Sequence, residues 1–345
     1  MGRIVKHLKN NYKIIIGIII GVVISGCGVY AATVIAASNV GYSDNASLGA
    51  TNVQDAIDKL NTKATTKIKE AEAKCPKGYD CTKSKLCKRA TILHTEKCTQ
   101  TDSSSYCSGD GYTASGSMKT TTITYGNLGT KGVLTSGDAF DCDVNGDGVY
   151  DSTTERFYYV SDMTNGVTQD SNTAVLIYYN NVSGGVASNS TAYAYDSSGK
   201  NNNGPVTAIK QLPTTRQWKN VSLINATRNI TDEKNTVRKS AFSYEGYAAR
   251  LLTAQEVSAG CGFTVGSLAT GELSSKCKYL MENTKYSSSS LKMYGEWLES
   301  PYMSRSSGAW YVYAYTRLVI GNSVVIADNF GVRPAIEVLK SNISY

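Results

Sequence analysis

Histidine is nearly absent from this sequence: His7 and His94 are its only two in 345 residues. An imidazole-rich metal centre is thereby excluded, and a Ser/His/Asp set has almost nothing to build on. No Cys-x-x-Cys pair occurs either, so zinc lacks its usual ligand spacing. Phenylalanine and tryptophan are scarce at 5 and 3 residues, against 24 tyrosines. Apolar cores draw on Phe and Leu, whereas Tyr suits half-wet surfaces because it joins an apolar ring to a hydroxyl. With abundant Ser, Thr, Asn and Gly, this composition implies a β-rich, loop-rich extracellular domain with the vocabulary of binding surfaces. Beyond residue 100 there is no charge excess, with 20 Lys/Arg against 21 Asp/Glu, whereas the first 100 residues carry 15 against 7. A nucleic-acid-binding domain concentrates basic residues on its folded part, so nucleic acid is not an expected partner.

What is present begins with Arg3, Lys6, Lys9 and Lys13, followed by 24 uncharged residues from Ile14 to Ala37. A basic flank before an apolar span of this length fits export with the N-terminus kept inside. Three fates fit the span: a retained signal-anchor over 1–37, cleavage after Ala31, or acylation at Cys27 in "ISGC". The retained anchor is the expectation, giving a single-pass cell-membrane protein with its C-terminal part outside.

Eight further cysteines, Cys75, Cys81, Cys87, Cys98, Cys107, Cys142, Cys261 and Cys277, favour disulfides in an exported chain. Cys261 and Cys277 bracket a short loop and are expected to pair. The first five fall within 33 residues and suggest a small stapled linker over 75–107. Before it, residues 38–74 read as a helical stalk, with Asn52 as cap and Gln54 and Asp55 in the first turn. Val53, Ile57, Leu60, Ala64, Ile68 and Ala71 then recur at spacings close to a coiled-coil seam, which points to homo-oligomerisation; a single amphipathic helix packed on its own domain is the alternative.

From about 108 to 345 short β-prone runs alternate with turns. "RFYYVSD" and "TAVLIYY" read as strands, the second buried on both faces. "LLTAQEVSAG" reads as a helix capped by Thr253 with Glu256 three residues on and Gly260 at its end. "LPTTRQWKNV" follows the same logic, with Thr214 or Thr215 as cap and Trp218 inward. In "AWYVYAYTRLVI" one alternation is an ordinary core face. The other carries Tyr311, Tyr313, Tyr315 and Arg317, the residue types that dominate binding hot spots. Internal packing under a loop of the same domain is the alternative for that stripe. Gly321-Asn322 reads as a two-residue hairpin turn. Glu296 and Glu299, flanking Trp297, read as surface charges rather than as a glycosidase-like pair.

"DVNGDGVYD" places Asp143, Asn145 and Asp147 at alternate positions around two glycines. Their side-chain oxygens, the Val149 carbonyl, Asp151 and a closing Glu155 approach the six to eight oxygens that calcium takes, with Gly148 supplying the sharp turn. In the EF-hand frame from Asp141, position twelve is Ser152 rather than Glu, and no helix pair flanks the loop. The stretch therefore looks more like the isolated calcium loops of dockerin-type and thrombospondin-type repeats. A plain Asn-Gly/Asp-Gly turn is the competing reading. Structural calcium is the expected cofactor, and with Cys142 in a disulfide the loop reads as a staple rather than an active centre.

"ARLLTAQEV", "QLPTTRQW", "YGEWLESPYMSRSSGAWYVY" and "FGVRPAIEVL" together resemble the C-type-lectin-like domain of formylglycine-generating-enzyme-like and major-paralogous-domain bacterial surface proteins. The resemblance covers roughly 205–340. "RLLT" lacks the family's proline and Val257 replaces its helix tryptophan, whereas "QLPTTRQW" keeps both. The implied fold class is α+β: a transmembrane helix, a short helical stalk and a β-rich head with few helices. The implied function is ligand binding, to a glycan or a protein, through Tyr302, Arg305, Tyr311, Tyr313, Tyr315 and Arg317. The family also contains oxidases that use a copper-bound cysteine pair near the C-terminus, but this chain has no cysteine after Cys277, so no enzyme activity is expected. A structural, pilus-like subunit is the third reading.

Overall fold

The computed structural model describes residues 50–73, 85–100, 119–165, 168–188, 191–262, 275–283, 295–313, 318–324 and 330–345. The chain divides into two units, 1–84 and 85–345. In the first, α1 (Val53–Ala73) begins where Asn52 predicts it. The Asn52 side-chain oxygen accepts the Asp55 N–H at 2.8 Å, a cap of the kind that contributes about 1 kcal/mol. Asp55 and Lys59 pair one turn apart at 3.0 Å. Val53 and Ile57 on the expected seam are half-buried and Leu60 is exposed. Among the described residues no helix is long and apolar enough to cross a membrane. The expected span over 1–37 lies outside them.

The second unit is β-rich. Its first strands are β1 (Cys87–Arg89), β2 (His94–Gln100), β3 (Lys119–Tyr125), β4 (Ala139–Cys142), β5 (Arg156–Asn165) and β6 (Thr168–Tyr178). Then come β7 (Val182–Ser183), β8 (Val186–Ala187), β9 (Thr227–Thr231), β10 (Val237–Ser243) and the helix α2 (Ala254–Cys261). The last are β11 (Gly295–Pro301), β12 (Gly308–Tyr313), β13 (Leu318–Val324), β14 (Ala335–Leu339) and β15 (Ile343–Ser344). Six strands form the main sheet in the order β14-β6-β5-β4-β1-β15. All its pairs are antiparallel except the outermost, where Cys87 lies beside Ile343. The first and last strands of the unit thus share one edge.

Side chains of a strand alternate between faces, and here both faces are covered. Phe157, Leu176, Tyr178, Ile336 and Val338 enter one apolar cluster. Their neighbours Tyr158, Val160, Val175, Ile177 and Ala335 enter the other. That double burial is why "AVLIYY" has no polar alternation. Trp218 packs edge-on against Phe157 and Tyr178, at 5.6 and 5.3 Å between ring centres.

α2 has the full capping box: the Thr253 hydroxyl accepts the Glu256 N–H, and the Glu256 carboxylate accepts the Thr253 N–H. Its end lies two residues beyond the expected Gly260. Gly262 takes the left-handed C-cap, whereas Gly260 packs so closely on β5 that a Cβ there would stand 2.5 Å from the Val160 carbonyl. "LPTTRQW" makes only one turn, in which Trp218 N–H reaches the Thr214 carbonyl at 3.0 Å. The turn stops because Asn220 leaves it to bond Val144.

Two further expectations are corrected. Residues 85–100, expected within a cysteine-rich linker, belong to the head: β1 is a strand of its main sheet, and Cys87 bonds to Cys142 directly across from it. Cys261 and Cys277 pair as expected. The expected pairing of the remaining cysteines falls outside the described residues. Gly321-Asn322 does not close a hairpin. The register pairs Tyr313 with Leu318, then shifts so that Trp310 faces Gly321 and Ala309 faces Ser323. Asn322 is therefore the extra residue of a bulge, which a neighbouring Gly without Cβ accommodates. The chain reverses between Tyr313 and Leu318.

Candidate binding surface and acidic loop

β11, β12 and β13 form a three-stranded sheet. On one face Tyr311 lies 4.3 Å from Phe330 and 6.1 Å from Trp297 between ring centres, and Tyr313 follows 5.8 Å from Tyr311. Beneath them the buried Trp297 stacks on Phe330 at 4.6 Å and donates its indole N–H to the Tyr193 carbonyl at 2.7 Å. Both tyrosines are half-buried, and burial raises the Tyr311 hydroxyl above its ordinary range. On the opposite face Trp310 donates to Glu233 at 3.0 Å and meets Tyr302 at 6.0 Å. Arg305 is exposed in the connection between β11 and β12 and donates to the Ser307 hydroxyl at 3.1 Å. Tyr315 and Arg317 lie outside the described residues. The structure therefore joins Tyr311 with Tyr313 and sets Tyr302 on the other side of the sheet. Phe330, Trp297 and Tyr193, on which the tyrosines depend, were not selected by sequence pattern, because their pairing is long-range.

Glu296 and Glu299 are not surface charges: both are 1% exposed. Glu296 faces the buried Arg333 at 3.5 Å, and burial pushes its carboxyl up to about 7. Glu299 belongs to a larger network. Arg228 reaches Glu299 at 3.2 Å and Glu337 at 3.1 Å, and Arg250 reaches Glu337 at 2.6 Å and Glu256 at 2.5 Å. Tyr244 donates to Glu299 at 2.8 Å. These charges pair inside the fold and bind β9, α2, β11 and β14 together.

The loop after β4 turns through Gly146 and Gly148, whose φ angles of 76° and 82° lie in the left-handed region. Asn145 accepts the Asp147 N–H at 2.8 Å, and Asp147 accepts the Val149 N–H at 2.7 Å. Glu155, 3% exposed, lies beneath and accepts the Val144, Asn145 and Asp151 N–H groups at 3.2, 3.3 and 3.3 Å. Burial pushes Glu155 up to about 7 against those amide bonds, with Asp143 and Asp147 adding repulsion. Asp151 is turned toward Thr153, whose hydroxyl and N–H hold its carboxyl down to about 2. Val149 is exposed. Among the described residues no three His, Cys, Asp or Glu side chains already stand together as a metal-holding group.

His94, expected in the linker, lies in the head on β2 and lines a cleft of about 300 Å³ with Tyr125, Tyr179 and Glu282. Its Nδ1 is 2.7 Å from Glu282, and its Nε2 is 2.5 Å from the Ser152 carbonyl. Both nitrogens face acceptors, which favours the doubly protonated ring. Burial opposes that charge, but the Glu282 carboxylate and the Ser152 carbonyl outweigh it, so His94 titrates above its ordinary 6.5. Its contribution to stability is complete below pH 6.5 and is lost as pH rises through the folded-state pKa. Glu155 and Glu296 titrate nearby, so the readout is the difference between wild type and His94→Gln. Urea midpoints from pH 5 to 9 should fall further for wild type than for the variant; parallel profiles would disprove the stabilising contact of protonated His94 with Glu282 and Ser152.

No family model, curated protein or solved structure matches this chain.

Proposed function

We propose that the chain is a membrane-anchored bacterial cell-surface protein whose head binds an extracellular ligand, in the manner of a C-type-lectin-like adhesion domain. The observation that carries this reading is the half-exposed Tyr311–Tyr313 pair seated on buried Phe330 and Trp297. Aromatic rings held this way lose little freedom when a ligand arrives, and each offers an apolar face beside a hydroxyl. The apolar faces of sugar rings match such a surface, so a glycan is the favoured ligand. Tyr315 and Arg317 follow directly in the chain. The disulfides Cys87–Cys142 and Cys261–Cys277, found among the described residues, agree with an oxidising compartment outside the cytoplasm. The 24-residue apolar run supplies the anchor.

The purified full chain, screened on a glycan array, should retain a restricted set of glycans. Tyr313→Ala should weaken binding at least ~10-fold, the scale of a hot-spot aromatic, while leaving the thermal midpoint near that of wild type. Retention of no glycan, or equal retention by the variant, would remove the reading.

A further inference from the structure

We propose that the loop 143–151 is a calcium site that stiffens the edge of the head where β1 enters. The proposal does not depend on which ligand the tyrosines bind. It starts from Asp143, whose side chain is buried at 4% exposure. One carboxylate oxygen, Oδ2, accepts the Gly148 N–H at 3.0 Å, which turns the carboxyl toward the inside of its own loop. The other, Oδ1, is buried and has no hydrogen-bond partner among the described residues. Buried carboxylate oxygens are seldom left unpaired, since desolvation of an anion needs a donor or a cation in return.

The surroundings favour a cation. The ion pairs of the head use Asp138, Asp141, Asp162, Asp232 and several glutamates, but none uses Asp143, Asp147 or Glu155. Among the described residues none of these three carboxylates, which share this region, forms an ion pair with a Lys or Arg. Asn145 and Asp147 each accept an amide N–H further along the loop. Asp143, Asn145 and Asp147 would give side-chain oxygens, Glu155 a carboxylate from beneath, and the Val149 carbonyl and water the remainder. Such a mixed oxygen set suits calcium, which takes six to eight ligands at flexible geometry, better than magnesium, which demands an octahedron.

The consequence lies next to the loop. The Tyr150 hydroxyl donates to the Lys85 carbonyl, and the Lys88 ammonium sits 3.9 Å over its ring. Asp143 N–H bonds the Leu86 carbonyl at 2.9 Å, one residue from the Cys87–Cys142 bridge. An ion that orders 143–151 therefore orders the start of the head as well.

The test uses the purified full chain, stripped with a chelator and melted with calcium, with magnesium or with neither. At ~10 mM calcium the midpoint should rise by about 3–10 °C, the range set by an extracellular-type affinity. Magnesium should do less. Asp143→Asn should abolish the rise. If that variant does not fold, Asp147→Asn, at an exposed position, carries the same expectation. Tyrosine-sensitised terbium emission, excited through Tyr150, should be displaced by calcium in wild type and absent in Asp147→Asn. No rise in wild type, an equal rise with magnesium, or an undiminished rise in Asp147→Asn would overturn the assignment.

Discussion

Arg250→Met is expected to destabilise the head by about 3–5 kcal/mol, the cost of removing one partner from a buried ion pair. Arg250 is fully buried. Its guanidinium donates to Glu337 at 2.6 Å, to Glu256 at 2.8 and 2.5 Å, and to the Leu251 carbonyl at 2.8 Å. Methionine fills most of the space but leaves two carboxylates facing an apolar chain. Glu337 keeps Arg228, while among the described residues Glu256 keeps only the Thr253 N–H that closes the α2 capping box. The loss is a large part of the ~5–15 kcal/mol by which domains are stable. Acid should reproduce part of it. Burial raises Glu337, but Arg250 and Arg228 outweigh burial and hold its carboxyl below the ordinary 4.5. Its contribution is thus complete above that value and is lost as pH falls through the lower folded-state pKa. Urea midpoints followed by Trp218, Trp297 and Trp310 fluorescence test this, with exposed Arg216→Met as control, expected within about 0.5 kcal/mol of wild type. A midpoint for Arg250→Met that matches this control would refute the network as the centre of the fold.

That network marks where sequence reading stopped. β5 and β6 were legible because burial on both faces leaves an unbroken apolar run, and α2 because Thr253 and Glu256 cap it locally. Cys261 and Cys277 were legible because they stand 16 residues apart. What failed was long-range. Arg228, Arg250 and Arg333 lie scattered along the chain like surface charges, and only the fold brings Glu296, Glu299 and Glu337 to them. Glu296 and Glu299 look solvated for the same reason. In "AWYVYAYTRLVI" the alternation continues past Tyr313, so nothing local announces that the chain reverses before Leu318. Strand alternation places Tyr311 and Tyr313 on one face, where their rings meet, but Phe330 and Trp297, which hold them, share no local pattern with them. In the acidic loop the spacing of Asp143, Asn145 and Asp147 was visible, whereas the unpaired oxygen of Asp143 is a fact of burial alone.

Removing the Cys87–Cys142 bridge should cost more than removing Cys261–Cys277, although both pairs are buried. The closed segments are 55 and 16 residues apart in sequence. In the chain-entropy account such loops correspond to about 4 and about 3 kcal/mol. The gap should widen because of what Cys87 holds. β1 is only three residues long and sits between β4 and the terminal β15, whose two residues have no other strand beside them among the described residues. Without the bridge, β1 keeps few backbone bonds, and β15 loses its β1 pairing when β1 leaves. Cys87→Ala/Cys142→Ala should therefore lower the urea midpoint more than Cys261→Ala/Cys277→Ala. Amide exchange should accelerate first in β1, β15 and the loop after β4, while β5 and β6 stay protected. In the other double variant, faster exchange should be confined to the end of α2 and residues 275–283. The reverse order of midpoints, or uniform exchange across the main sheet in both, would mean that the terminal edge stands without its bridge and that the main sheet alone closes the head.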